Sequence, residues 1–449
     1  MSSRRFYTAD EQGLIKVVTV TELPPVKAKR YNRTRDTPES PKKPEATIET
    51  WGTPDRERAI QLMCWDNQKK HLVVARKNGS VQLIDPKDGS VTLEFKQTLV
   101  KVEKIETAFV GLFANSESII TCTNTGVVSI HSIKDASATP TTFNVGKDIC
   151  RMRVHPRDHH IIATGGKEQE LTIWDLNALT SEVSKEDAKK PRTGKSAKGK
   201  SPSSITPQNN SKDSSSSNGS ARYKSKEILD KGQIFKAKNV KNDNLDLRVP
   251  VWNVDFQFLS TYDHTRIAVG TRNHQIRVYD TKTARRPAVD AEVGTMPVIA
   301  LATGKDASEI VFSDTVTNVY SVDTLTGSII GQYKGFTGVT TALATFLPFE
   351  DSDATHLVTV SMDRFMRIHE MDKTRKLLHK VYLKQRLTAV VVGEFTPYEG
   401  SNEDDEEDGA DRVKRGNNNG GDDGMNDDDI WNSMGKLGPK SKKRKVSKE

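Results

Sequence analysis

Residues 148–176, DICRMRVHPRDHHIIATGGKEQELTIWDL, constrain this chain more than any other part of it. Two runs of β-forming residues, 161–164 and 171–174, flank the polar segment 165–169, as the two strands of a hairpin do. The unit ends in Trp174-Asp175 and reads as one complete four-stranded propeller blade. A single blade leaves both faces uncovered, so stable burial demands copies stacked beside it, at a period of roughly 40–45 residues.

The copies are present. Pairs in the place of Trp174-Asp175 follow an apolar strand at Ile84-Asp85, His131-Ser132, Tyr279-Asp280, Val322-Asp323 and His369-Glu370. From one second member to the next the intervals are 47, 43, 105, 43 and 47 residues. Four of these match one blade each, and the long one matches a blade plus an insertion of roughly 60 residues. Six blades are expected over 58–95, 105–143, 148–177 with 228–235, 249–293, 296–334 and 338–383. Residues 6–20, FYTADEQGLIKVVTV, supply two more strands, and 386–395, RLTAVVVGEF, one more. A C-terminal strand that completes the N-terminal blade closes the ring at seven and leaves no long open sheet edge. The expected fold is all-β: a seven-bladed WD40-type β-propeller over 1–395, closed by its N- and C-terminal strands.

Composition places the insertion. Residues 178–226 carry 11 Lys/Arg against 4 Asp/Glu and hardly any large apolar side chains. They cannot recover the entropy of folding by burial, so a disordered basic loop is expected. A second basic spacer, 26–45, contains Pro38, Pro41 and Pro44. The tail, 396–449, is expected to be disordered in two blocks, with 12 Asp/Glu against 3 Lys/Arg in 401–430 and 7 Lys/Arg against Glu449 in 436–449. The net charge of +8 is thus a sum of segregated blocks. Such a distribution suits nucleic acid or acidic proteins as partners, or solvated linkers. Lys440, Lys442, Lys443, Arg444 and Lys445, in PKSKKRKV, have the composition of a nuclear import signal, which points to the nucleus and to an import receptor.

Signals for chemistry are scarce. No apolar run nears the roughly 20 residues that span a bilayer, and no hydrophobic targeting segment follows MSSRR, so a soluble, non-secreted chain without a membrane partner is expected. Cys64, Cys122 and Cys150 lie far apart in or beside strand-like runs, as reduced core thiols do. His155, His159 and His160 have metal-like spacing, but His155-Pro156 falls in a blade's first turn, a role that needs no ion. There is neither a Gly-rich phosphate loop ending in Lys-Ser/Thr nor a G-x-S-x-G elbow. Asp363, in SMDRFMRIHE, holds a hairpin position that Glu168 and Asn273 hold in their own blades, and is expected to hydrogen-bond inside the blade instead of moving protons. No enzymatic activity, cofactor or metal is expected.

Three segments are more specific than the repeat itself: DLRVPVWNVD (246–255), GTRNHQIRVYD (270–280) with ARRPA (284–288), and YLKQRLT (382–388). With the basic tail, they make the chain resemble the nucleolar WD-repeat assembly factors of the large (60S) ribosomal subunit, in fungi the Nop-seven-associated WD-repeat proteins, over the whole propeller. The resemblance implies a non-catalytic scaffold of early, nucleolar pre-60S particles, needed for large-subunit assembly and pre-rRNA processing. It further implies docking with other assembly factors and pre-rRNA, a monomer within its complex, and later release by a nucleolar AAA-ATPase.

The residues expected to make contacts are Arg248, Arg272, Arg277, Arg285, Arg286, Lys384 and Arg386, because guanidinium forks suit phosphate oxygens and acidic side chains alike. Arg277 alternates with Ile276 and Val278, which leaves a solvent-facing position open, whereas Arg285-Arg286-Pro287 lies between blades. A nuclear adaptor that reads a peptide in a chromatin or ubiquitin-ligase complex is the second reading. A propeller hydrolase is the third, and it lacks a catalytic set.

Overall fold

A computed structural model describes residues 2–22, 46–99, 106–135, 138–180, 229–348, 352 and 354–396. The expectations for the spacer 26–45, for most of the insertion 178–226, and for the tail with Lys440, Lys442, Lys443, Arg444 and Lys445 lie outside the described residues.

Seven four-stranded antiparallel sheets make up the described chain. From the inner strand outward, blade 1 is Ile60–Trp65, Leu72–Arg76, Ser80–Ile84 and Val91–Lys96, and blade 2 is Phe109–Ala114, Ser118–Thr123, Val127–Ser132 and Thr141–Asn144. Blade 3 is Ile149–Val154, Ile161–Gly166, Gln169–Asp175 and Gln233–Lys236, and blade 4 is Asn253–Phe258, Arg266–Thr271, Gln275–Asp280 and Val289–Glu292. Blade 5 is Val298–Thr303, Glu309–Asp314, Val319–Asp323 and Ile329–Tyr333, and blade 6 is Thr340–Phe346, His356–Ser361, Phe365–Glu370 and Leu377–Tyr382. Blade 7 joins the two ends of the propeller: Leu387–Thr396 is its inner strand, followed by Ser2–Asp10, Ile15–Glu22 and Ala46–Trp51. Each inner strand packs beside the next, and Leu387–Thr396 packs beside Ile60–Trp65, which closes the ring.

Two details differ from the sequence reading. Residues 148–176 hold three strands, not four; the fourth, Gln233–Lys236, pairs with Gln169–Asp175 from the far side of the insertion. The N-terminus supplies three strands, because Ala46–Trp51 pairs with Ile15–Glu22 along its whole length. Four of the six residues in that outer strand are exposed, so it lacks the apolar density that marks a strand in sequence.

Burial follows position in the blade. The second and third strands are covered on both sides by neighbouring blades, and Leu72–Arg76 and Ser80–Ile84 are buried at every residue. Each outer strand has one wet side, as in the largely exposed Val91–Lys96. The core is seven clusters, each spanning two adjacent blades. Tyr7, Ile15 and Val17 of blade 7 meet Ile60, Leu72 and Val74 of blade 1, while Phe6, Val18 and Val390 meet Val358, Met366 and Ile368 of blade 6. Closure is thus made by the same apolar contact as every other blade interface, between residues more than 300 apart in the chain.

Polar side chains join in at the seam. Arg76 donates to Gln82 Oε1 (2.7 Å) and to the Gly13 and Arg58 carbonyls (both 2.9 Å), and burial pulls its guanidinium down to about 10. Lys16, 4% exposed, sits 3.3 Å from Asp10 and donates to the Leu383 carbonyl and Gln385 Oε1.

Candidate functional site: a cationic face

In an antiparallel four-stranded blade, the first-to-second and third-to-fourth connections lie at one end, and the second-to-third and blade-to-blade connections at the other. Four of the seven expected contact residues fall at the second end. Arg248 and Arg272 flank the start of blade 4, and Lys384 and Arg386 join blade 6 to blade 7. Arg248 Nη1 is 2.9 Å from Glu168 Oε2, an exposed pair worth little to stability. The Arg272 guanidinium lies 5.3 Å from the Trp252 ring centroid, and Lys167 Nζ lies 5.0 Å from the same ring.

Lys384 and Arg386 line a cleft of about 600 Å³ between blades 6, 7 and 1, together with Arg56, Lys77 and Arg364. Its other walls are Glu11, Gln12, Ala59 and Gln385. The sequence reading missed Arg56, Lys77 and Arg364. Each lies in a short polar connection with no basic cluster, and only ring closure brings positions 56 and 77 beside 364 and 384, so no local signal marks them.

One expectation changes, and two residues gain a structural bond. Arg277 is 1% exposed and neither faces a partner nor faces solvent; its guanidinium bonds Asp290 Oδ1 (3.0 Å) and Gln275 Oε1 (2.8 Å) inside blade 4. Arg285 and Arg286 stand on the rim, where Nε of each donates to a backbone carbonyl of the chain leaving blade 3: Lys236 (2.7 Å) and Asn239 (3.1 Å). These two arginines tie blade 4 to blade 3 through Nε.

The segments that stood out in sequence carry structural bonds as well. Asp255, fully buried on the inner strand of blade 4, accepts from Arg153 Nε (3.0 Å) and Nη2 (2.9 Å) of blade 3 and from the Leu301 N–H of blade 5 (3.0 Å). Burial alone would push its carboxyl up; Arg153 and Arg151 beside it outweigh that and hold it below the ordinary range. One carboxylate thus links three blades. Asn253 Nδ2 donates to the Gln169 carbonyl (2.8 Å), another bond from blade 4 to blade 3.

Acid–base groups have structural partners. Asp363 accepts from Arg367 Nη1 (3.0 Å) and Nη2 (2.6 Å) and from Thr337 Oγ1 (2.9 Å), within blade 6 and its approach. His155 is buried, and its Nδ1 accepts from the Asp158 N–H at 2.9 Å, a turn-stabilising bond. Among the described residues no group of three His, Cys, Asp or Glu is placed to hold a metal. Cys122 is buried, Cys64 and Cys150 are half-buried, and all three are free; burial pushes the thiols of Cys64 and Cys122 up to about 12, which leaves them unreactive at neutral pH. The cationic face can hold anions and present side chains.

Residues 44–110 match a family described as the anaphase-promoting complex subunit 4 WD40 domain, a stretch that covers little more than one blade. The chain is 30% identical over 356 residues to WD repeat-containing protein 74 of Bos taurus, which spans 78% of this chain and 76% of that protein. It is 25% identical over 349 residues to ribosome biogenesis protein NSA1 of Meyerozyma guilliermondii, spanning 72% of this chain and 76% of that protein. Among solved structures, the β-propeller domain of Myceliophteria thermophila Cps50 (Swd1) superposes with a TM-score of 0.50 at 9% identity, over 74% of this chain and 89% of that one, a likeness of fold.

Proposed function

The chain belongs to the family of WD repeat-containing protein 74, and from that premise we propose that it acts in ribosome biogenesis as a non-catalytic scaffold of nucleolar pre-60S particles. The observation that carries this reading is the similarity to proteins named for ribosome biogenesis over most of the chain. The geometry supports it: a closed disc is rigid, works by positioning, and offers faces and rim to different partners. At the cationic end, Leu245 (78% exposed), Leu247 (59%), Met296 (40%), Val316 (43%) and Met362 (42%) add apolar area on blades 4 to 6. Apolar side chains beside cations suit an assembly of protein and RNA. On this reading the protein takes part in large-subunit assembly and pre-rRNA processing, enters the nucleus on an import receptor, and leaves the particle through a nucleolar AAA-ATPase.

Gradient sedimentation of a tagged full-length chain, followed by identification of the co-purified protein and RNA, tests the reading. It should travel with large-subunit precursors and bring down pre-rRNA, and block of the nucleolar AAA-ATPase should hold it on the particles. Enrichment with nucleosomes or with a ubiquitin-ligase scaffold, and none with pre-60S particles, would overturn it.

A further inference from the structure

We propose that the cleft between blades 6, 7 and 1 binds the phosphodiester backbone of RNA through Arg56, Lys77, Arg364, Lys384 and Arg386. The choice of RNA as the polyanion rests on the ribosome-biogenesis reading; the cleft's preference for phosphates rests on its own geometry.

The cations lining the cleft outnumber its anions. Five face Glu11 alone, and Glu11 is 3.9 Å from Arg386, too long for a tight pair. Lys77 also reaches Glu106, at 3.4 Å, on its outer side. Beneath the wall, Lys16 is matched by Asp10, whereas Arg76 is met by the neutral oxygens of Gln82, Gly13 and Arg58 and adds its charge to the floor. A cleft with walls of one sign focuses its field on an incoming anion.

The backbone places two of these cations where glycine would sit more easily. One residue of the second-to-third-strand turn is left-handed in six blades: Gly13 (φ 79), Gly79 (φ 87) and Gly126 (φ 84) in blades 7, 1 and 2, and Glu168 (φ 54), His274 (φ 48) and Arg364 (φ 72) in blades 3, 4 and 6. Lys384 (φ 67) is the centre of a γ-turn in which the Gln385 N–H bonds the Leu383 carbonyl at 2.8 Å. That turn is strained for an L side chain. Both positions keep a long cation against the backbone's preference, and both cations point into one cleft.

The lining also separates a phosphate backbone from an acidic protein segment. A protein partner is anchored by side chains buried in apolar pockets, and Ala59 is the sole apolar residue of this lining. Phosphates ask only for N–H donors and positive charge. No aromatic ring lines the cleft, so contact with the backbone, without base readout, is the mode that fits.

The test is fluorescence anisotropy of the purified full-length chain with a fluorescein-labelled 15-nucleotide oligouridylate, from low to moderate salt. The variant Lys384→Gln/Arg386→Gln/Arg364→Gln should bind about tenfold more weakly, with a log–log salt slope shallower by roughly 0.7 for each lost phosphate contact. Equal affinity and equal slope in wild type and variant would overturn the proposal and place RNA binding elsewhere on the chain. Displacement of the RNA by polyglutamate at matched charge concentration would also overturn it, since the occupant is then an acidic protein segment. The variant should melt as the wild type does, because these side chains are exposed and Lys384 repels Lys16. If it does not, Lys384→Gly/Arg386→Gln, which relaxes the γ-turn, supplies the same comparison. Loss of RNA binding with sedimentation unchanged supports the cleft and leaves the scaffold reading intact, whereas absence of the wild type from pre-60S fractions is a failure of that reading alone.

Discussion

Arg277 and Arg367 occupy the same place in blades 4 and 6, two residues before the terminal pair of the third strand, and both are buried. Arg367 lies between the rings of Phe336 (5.1 Å) and Phe365 (5.2 Å) and forks onto Asp363. Alternation in a strand normally separates a dry face from a wet one, but here both faces meet another blade, so a polar residue in the pattern is a buried polar residue. The consequence is largest at Asp255. Asp255→Ala would leave Arg151, Arg153 and the Leu301 N–H without their shared acceptor, and the unfolding free energy should fall by about 3–5 kcal/mol. Denaturant titration checks this, and a loss below about 1 kcal/mol would show that the carboxylate does not link the blades. His356 makes a pH prediction. Burial, with His379 and Arg4 nearby, pulls it down to about 4. The unfolded chain, with an ordinary histidine near 6.5, then binds more protons than the folded one between those values. Stability is therefore fully present above about pH 6.5 and lost as pH falls toward 4. His356→Gln should remove about 2 kcal/mol of the loss between pH 7 and pH 5, read from urea midpoints at the two pH values. Arg285 and Arg286, by contrast, are poor reporters of partner binding. Reversing both to Glu removes two bonds to blade 3 carbonyls, so a fall in melting temperature should accompany any loss of particle association.

Among the elements, Leu387–Thr396 matters most. It pairs with Ser2–Asp10 in a register that sets Val390 opposite Thr8, Val391 opposite Tyr7 and Val392 opposite Phe6. The Trp65 indole of blade 1 donates to the Val392 carbonyl at 2.6 Å. A chain ending at Gly400 retains this strand and should keep the wild-type melting temperature. A chain ending at Gln385 loses it, uncovers the edge of Ser2–Asp10 and the apolar faces of blades 6 and 1, and should aggregate or fall to limited proteolysis. A monomeric, protease-resistant protein ending at Gln385 would mean that the ring does not depend on its closing strand. The turn ending at Gly126 is a second sensitive point, with φ 84 and the Gly146 carbonyl 1.6 Å from any added Cβ; Gly126→Ala should lower the melting temperature sharply, whereas Gly294→Ala, with open space, should lower it less.

At the scale of the whole molecule, the charge blocks and the disc make separate predictions. Deleting 440–448 should move a tagged chain toward the cytoplasm without changing its melting temperature, since no described strand lies there. Nuclear accumulation that survives the deletion would assign import to another basic segment or to carriage by a partner. The contact residues read from sequence divide by their place on the disc. Arg248, Arg272, Lys384 and Arg386 share one face, Arg285 and Arg286 bind the rim, and Arg277 is interior. Sequence proximity did not predict this division, because 277 and 285 are near neighbours in the chain and have opposite surroundings.

The repeat period, the strand that ends each unit and the valine run at 390–392 are local properties, and by themselves they determined the seven-bladed ring and its closing strand. They did so because a blade cannot bury its faces alone and a propeller cannot leave an edge open. One strand escaped that reading for a physical reason: Ala46–Trp51 is an outer strand, held by backbone pairing more than by apolar side chains. The cationic cleft was decided by tertiary structure alone. Arg56, Lys77, Arg364, Lys384 and Arg386 are ordinary polar positions one at a time, and their shared field exists only because the two ends of the chain pair in one sheet and bring blade 6 up against blade 1.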